Sequence, residues 1–205
     1  MAVESVAGRA NQKLRTRNAI VQAAAELSRT GREVTMPEVA KAALVSEATA
    51  YRYFPDLASL LREAISGQLP GPDEALETVA GSADPVARIA AATEFLLRHV
   101  LSRQGVVRAL IAATIIRPDQ AQARPGLRFS LIDAALAPLA DAVGPADPAA
   151  LAQLKRDLAV VVSAEALFSL TDLHRLDPEE AIRSIVHTAT TLTRAALPDA
   201  PAGTR

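Results

Sequence analysis

The chain contains no cysteine and no tryptophan, and its 205 residues include only six aromatic side chains, two Tyr and four Phe. The absence of cysteine excludes a disulfide framework, a thiolate metal site and a cysteine nucleophile, and it fits a reducing compartment. No apolar run approaches the roughly 18 residues of a membrane span, and the N-terminus has no apolar h-region. Neither a membrane segment nor a signal peptide is expected, and the default location is the cytoplasm. The three histidines, His99, His174 and His187, form no Glu-x-x-His or His-Glu-x-x-His spacing. A Gly-x-Ser-x-Gly elbow, a phosphate loop and a dinucleotide fingerprint are missing too. The sequence therefore offers no catalytic residue, no metal ligand and no cofactor site, and a non-enzymatic role is expected.

What is present is aliphatic and helical in character. Half of the residues are apolar, mostly Ala and Leu, and they lack the two-residue alternation of strands. Residues 16–30 place Ile20, Ala23, Ala24 and Leu27 on one face, with Gly31 as a stop. Thr35 and Glu38 form a capping box for a short second helix reaching about residue 43, with Pro37 in its first turn. Ser46 caps a third helix that ends before Pro55, and Asp56 caps a fourth from Leu57 to about Leu69. The dipeptide Asp-Pro at 84–85, 147–148 and 177–178 starts helices of about 84–103, 147–174 and 178–197. Two more fit near 105–116 and 127–142, the second kinked at Pro138. The prediction is an all-α chain of nine helices.

Net charge is −1, but residues 1–66 carry nine basic and seven acidic side chains against thirteen and sixteen in the remainder. Arg9, Lys13, Arg15 and Arg17 follow one another with no acid between them, either a solvated tail or a basic arm.

Three of the six aromatics, Tyr51, Tyr53 and Phe54, crowd around Arg52 in the stretch VSEATAYRYFP. Two short helices joined by a tight turn, 35–43 and 46–54, have the dimensions of a helix-turn-helix, whose second helix enters the major groove. Val45, Ala50 and Phe54 then face the first two helices. Glu47, Ala48, Thr49, Arg52 and Tyr53 remain on the outside, and Tyr51 joins Phe54 in the core. Hydroxyls and guanidinium groups suit phosphate, and Arg or a carboxylate suits a base edge. Glu47 has a second reading, as an acid complementing its helix dipole.

The segments TMPEVA from Thr35 and VSEATAYRYFP from Val45 resemble the DNA-binding domain of the TetR family of transcriptional regulators, with Leu60 at the family's fourth-helix leucine. The stretch EALFSLTDLHRLDPEEA at 165–181 is similar to the junction of the last two helices in that family. The resemblance implies a flexible basic arm at 1–14, a helix-turn-helix domain at 15–56, a helical effector-binding and dimerisation domain at 57–197, and a tail at 198–205. It implies phosphate contacts from Thr35, Ser46, Thr49 and Tyr53, and base-facing roles for Glu47, Ala48 and Arg52. Tyr51 would pack and reach the backbone, and the arm, with Arg15 and Arg17, would enter the minor groove.

Two positions depart from the family pattern: Leu44 stands where the turn glycine is usual, and Leu57 where a phosphate-binding lysine is usual. The implied function is a homodimeric, ligand-responsive repressor of a palindromic operator in double-stranded DNA, released by a small apolar effector. Phe95, His99, Thr114, Phe129 and Phe168 are the candidate effector-pocket walls. Leu158, Val161, Glu165, Ile182, Ile185, Ala189 and Leu192 are the candidate dimer contacts. A helix-turn-helix used for protein contact and a helical-bundle enzyme are the alternatives.

Overall fold

The computed structural model describes residues 2–66, 69–116, 126–142 and 147–197, with side chains described from residue 11 onward, Asp141 and Ala142 excepted. The expected tail at 198–205 lies outside the described residues. Every described element is helical: α1 (Ala2–Ser28), α2 (Met36–Ala42), α3 (Glu47–Tyr53), α4 (Leu57–Ser66), α5 (Pro72–Ala75), α6 (Pro85–Ser102), α7 (Gln104–Ile116), α8 (Leu127–Ala135), α9 (Ala137–Ala142), α10 (Pro148–Val161), α11 (Ala164–Phe168) and α12 (Pro178–Ala195). A 3-10 turn follows α5 at Glu77–Val79, and a π-helical turn follows α11 at Ser169–Leu173.

The local start signals act as expected. The Asp56, Asp84, Asp147 and Asp177 carboxylates accept from Ser59 N, Val86 N, Ala150 N and Glu179 N at 2.7–2.9 Å, satisfying first-turn donors that the helices leave unpaired. Gly31 takes φ +69° just beyond α1, which a glycine adopts without steric cost. The helix expected at 127–142 breaks at Leu136, two residues before Pro138, into α8 and α9.

Three boundaries differ from the expectation. The expected arm at 1–14 is helix from Ala2 onward. The segment has no proline, and its one glycine, Gly8, costs only about 1 kcal/mol among alanines and other helix formers, so the first helix continues. The helix expected at 147–174 breaks at Ser163, whose hydroxyl accepts from Ala166 N at 3.1 Å and starts α11 anew. A short helix and a 3-10 turn occupy 72–79, where none was expected.

The chain forms two units, Met1–Leu69 with Leu101–Pro125, and Pro70–Val100 with Gly126–Arg205. This differs from the expected boundary at 56/57. In the first unit, Ile20, Ala24, Val39, Ala50 and Phe54 share one core with Leu60, Leu61, Ala64 and Ile65 of α4 and Val106 and Leu110 of α7. Each large aliphatic chain buried there contributes on the order of 2 kcal/mol, so α4 and α7 are part of the scaffold that holds α3.

The second unit is held by apolar stripes and two arginine clips. Leu154 and Leu158 of α10 and Ala181, Ile182, Ile185 and Ala189 of α12 are buried, and the two helices pack together. Arg88 donates to the carbonyls of Ala134, Ala135, Val79 and Ser82 at 2.9–3.4 Å, so one cation closes the end of α8 and the 3-10 turn. On the surface Arg98 forks onto Glu179 at 2.8 and 2.9 Å and bonds Glu94. These bonds, Glu179 first, raise its pKa further above the ordinary arginine value.

Candidate nucleic-acid interface

The turn between α2 and α3 sets the position of the recognition helix. Val45 N donates to Ala40 O at 2.9 Å and Leu44 N to Lys41 O at 3.2 Å. This is the paired C-terminal closure that places one residue in the left-handed region. That residue is Leu44, at φ 57° and 92% exposed. The turn keeps the geometry glycine would favour and carries the strain of a leucine there.

Ser46 then caps α3. Its hydroxyl accepts from Thr49 N at 3.2 Å and lies 3.0 Å from the Thr49 hydroxyl. Ala50 and Phe54 are buried and Val45 is partly buried on the same core. Ser46, Glu47, Ala48, Tyr51 and Arg52 are exposed, while Thr49 and Tyr53 are half-buried. The order of the two tyrosines corrects the expectation. Tyr51 is 49% exposed, whereas Tyr53 packs against the core, with the Arg52 guanidinium 5.7 Å from its ring centroid. Tyr53 thus positions Arg52 from below, and Tyr51 offers its hydroxyl outward.

At the start of α2 the Thr35 capping box is complete. Glu38 N donates to Thr35 Oγ1 at 3.4 Å, and Thr35 N and its hydroxyl donate to Glu38 Oε2 at 3.1 and 2.9 Å. The hydroxyl expected to face a phosphate is engaged by a carboxylate in this state.

The basic residues of α1 separate into different roles. Arg17 forks onto both carboxylate oxygens of Glu63 in α4 and lies 5.0 Å over the Phe54 ring. It ties α1 to α4 and α3, which corrects its expected place in a DNA-contacting arm. Arg15 is exposed. Lys13, which was given no individual role, lines a groove with Gln12, Thr16, Leu44, Val45, Thr49, Arg52 and Tyr53.

The expected pocket and dimer residues have varied surroundings. Phe168 is buried, and Phe95 and His99 are half-buried. Phe129 is 50% exposed under the Arg128 guanidinium. Thr114 is buried, and its hydroxyl donates to Leu110 O and Ile111 O at 2.9 and 3.0 Å, serving its own helix. Leu158, Ile182, Ile185 and Ala189 lie within the core of their own unit, so they join α10 to α12 rather than chain to chain. Val161, Glu165 and Leu192 are half-buried, and Glu165 pairs with Arg128 at 3.5 Å.

Residues 19–64 match the family model described as bacterial regulatory proteins, tetR family. The matched segment runs from α1 through α4 and includes the turn and the whole of α3. A search of curated proteins gave no match. Among solved structures, the chain is similar to the crystal structure of a TetR transcriptional regulator from Rhodococcus sp. RHA1. The identity is 25%, the TM-score 0.51, and the match covers 87% of this chain and 96% of that one. A capped helix-turn-helix with an outward recognition face, matched in sequence over residues 19–64, shows that this part of the chain is the DNA-binding helix-turn-helix of the tetR family of bacterial regulatory proteins.

Proposed function

We propose that the chain is a ligand-responsive repressor that binds a palindromic operator as a homodimer. The observation that carries this reading is the division of α3. Its Ala50 and Phe54 side chains are locked into the core while Ser46, Glu47, Ala48, Tyr51 and Arg52 are exposed together. A rigid helix presenting donors and one guanidinium suits the major groove, with phosphate contacts fixing register and Arg52 or Glu47 facing base edges. A symmetric dimer would present two such helices about one helical turn of DNA apart.

Regulation follows from population shift. An effector lowers operator affinity only by the ratio of its affinities for the two states. The buried hydroxyl of Thr93 in α6 supports a polar point in the effector site. It has no hydrogen-bond partner among the described residues, and an orphaned buried hydroxyl costs on the order of 1–3 kcal/mol. A ligand acceptor reaching it would recover that cost. Dimer contacts would use the outward faces of α10 and α12, where Val160 and His187 are exposed, rather than the stripe that closes the core.

Selection from a random duplex pool with the purified chain tests this function. A palindromic consensus bound by two chains is expected. Enrichment of no sequence, together with binding that salt does not weaken, would contradict it.

A further inference from the structure

We propose that Lys13, with Gln12 and Thr16, forms a sugar-phosphate seat on α1 facing the recognition helix, so that α1 grips the same DNA strand that α3 reads. The inference rests on the DNA-binding reading above and adds to it a second wall of the interface.

The argument starts from the register of α1. Residues 13, 16, 20 and 24 fall within about 80° of one another around the helix, and Gln12 stands about 40° beyond Thr16. Ile20 and Ala24 on that side are buried, whereas Gln12 and Lys13 are exposed and Thr16 is half-exposed. The stripe that packs on α2 and α4 thus runs past the end of the core and changes from apolar to polar. There it meets the outer side of α3. Gln12, Lys13 and Thr16 form one wall of a groove of about 650 Å³, and Thr49, Arg52 and Tyr53 form the other, with Leu44 and Val45 at the turn.

The lining chemistry selects the occupant. Lys13 and Arg52 are its two cations and no carboxylate lines it; Lys13 makes no ion pair among the described residues. Gln12 and Tyr53 add amide and hydroxyl donors, and the Thr16 and Thr49 hydroxyls, which bond Gln12 O and the Ser46 hydroxyl at 3.0 Å, add theirs on turning toward the groove. Two cations with neutral donors on facing walls match a phosphodiester backbone, where lysine acts as a point charge. Lysine has no planar fork for bidentate base recognition. Arg15 and Arg17, the other basic residues with described side chains on this part of α1, do not line the groove, and Arg17 is held by Glu63. Because α1 remains helical through this segment, Lys13 is held in place without ordering a loose arm.

The test is fluorescence anisotropy on a labelled mixed-sequence DNA duplex over a salt series, with Lys13→Ala, Lys13→Arg and Thr16→Val. Arg183→Ala, an equal loss of charge on the exposed face of α12, is the control. Lys13→Ala is expected to lower affinity several-fold, to reduce the slope of log K against log salt by about 0.9, and to do so equally on selected and mixed sequences. Lys13→Arg restores the slope and Arg183→Ala leaves it unchanged. Circular dichroism melts separate folding from binding, and Thr16→Val gives a smaller loss with the slope retained. Binding by Lys13→Ala that equals the parent, or that changes sequence preference while keeping the slope, would overturn the seat and leave the recognition-helix reading standing. A parent chain that binds no duplex would overturn both.

Discussion

A β-carbon on Gly105 would stand 1.8 Å from the carbonyl oxygen of Arg32. The start of α7 therefore lies backbone to backbone on the loop that leads into Thr35 and the helix-turn-helix. Gly105→Ala has to push that backbone away, an overpacking that typically costs about 1–3 kcal/mol. Urea unfolding is expected to show an unfolding free energy lowered by that amount, seen as a lower midpoint with an unchanged m-value. A midpoint equal to the parent would show that the contact yields freely.

Leu44 holds a left-handed backbone that costs a non-glycine residue roughly 1–2 kcal/mol. Its side chain is 92% exposed and has little packing to lose. Leu44→Gly is expected to stabilise the chain by about 1 kcal/mol after the extra freedom of glycine in the unfolded state is included. Thermal or urea melts read this directly, and a destabilised glycine variant would contradict it.

Leu57 is half-buried and packs against the core at the start of α4, at the position where the sequence resemblance implies a phosphate-binding lysine. Leu57→Lys is expected to tighten duplex binding and to steepen the salt slope by about 0.9 for one added phosphate contact. The accompanying cost in stability stays near 1 kcal/mol because the lysine stem can follow the leucine's path and carry its amine outward. Binding titrations at two salt concentrations decide the matter, and unchanged slopes would refute the added contact.

Arg88 bonds four carbonyls from two chain segments. Arg88→Met keeps much of the stem and removes every donor. A loss of about 2–3 kcal/mol is expected, because the bonds are charge-assisted and the carbonyls at the end of α8 lose their partner. Arg88→Lys should recover less than half, since a single ammonium cannot span both segments. Calorimetric melts of the two variants provide the comparison.

The elements with local causes were legible in the sequence. Asp-Pro starts, the Thr35–Glu38 box and Gly31 act within one helical turn, and each holds in the structure. The break at Ser163 was hidden because the apolar period of Leu154, Leu158 and Val161 continues through it to Phe168. The α1 extension was hidden for the opposite reason, since its stripe turns polar at Thr16. The tyrosine order is beyond pattern alone. On a helix with Ala50 and Phe54 inward, positions 51 and 53 stand about 80° to either side of the buried line. Only the packing of neighbouring helices decides between them, and it takes Tyr53. The stripe on α12 illustrates the same limit, because an apolar face looks identical whether it meets its own unit or a second chain.

The central claim is that the exposed side of α3 reads duplex DNA. Its most direct test is the affinity of the parent and Arg52→Ala for a selected operator and for a mixed-sequence duplex at one salt concentration. The parent is expected to prefer the selected sequence, and Arg52→Ala to lose roughly 1–3 kcal/mol of that preference while its circular dichroism melt stays unchanged. A parent that binds both duplexes equally, or an Arg52→Ala variant that discriminates as well as the parent, would contradict it.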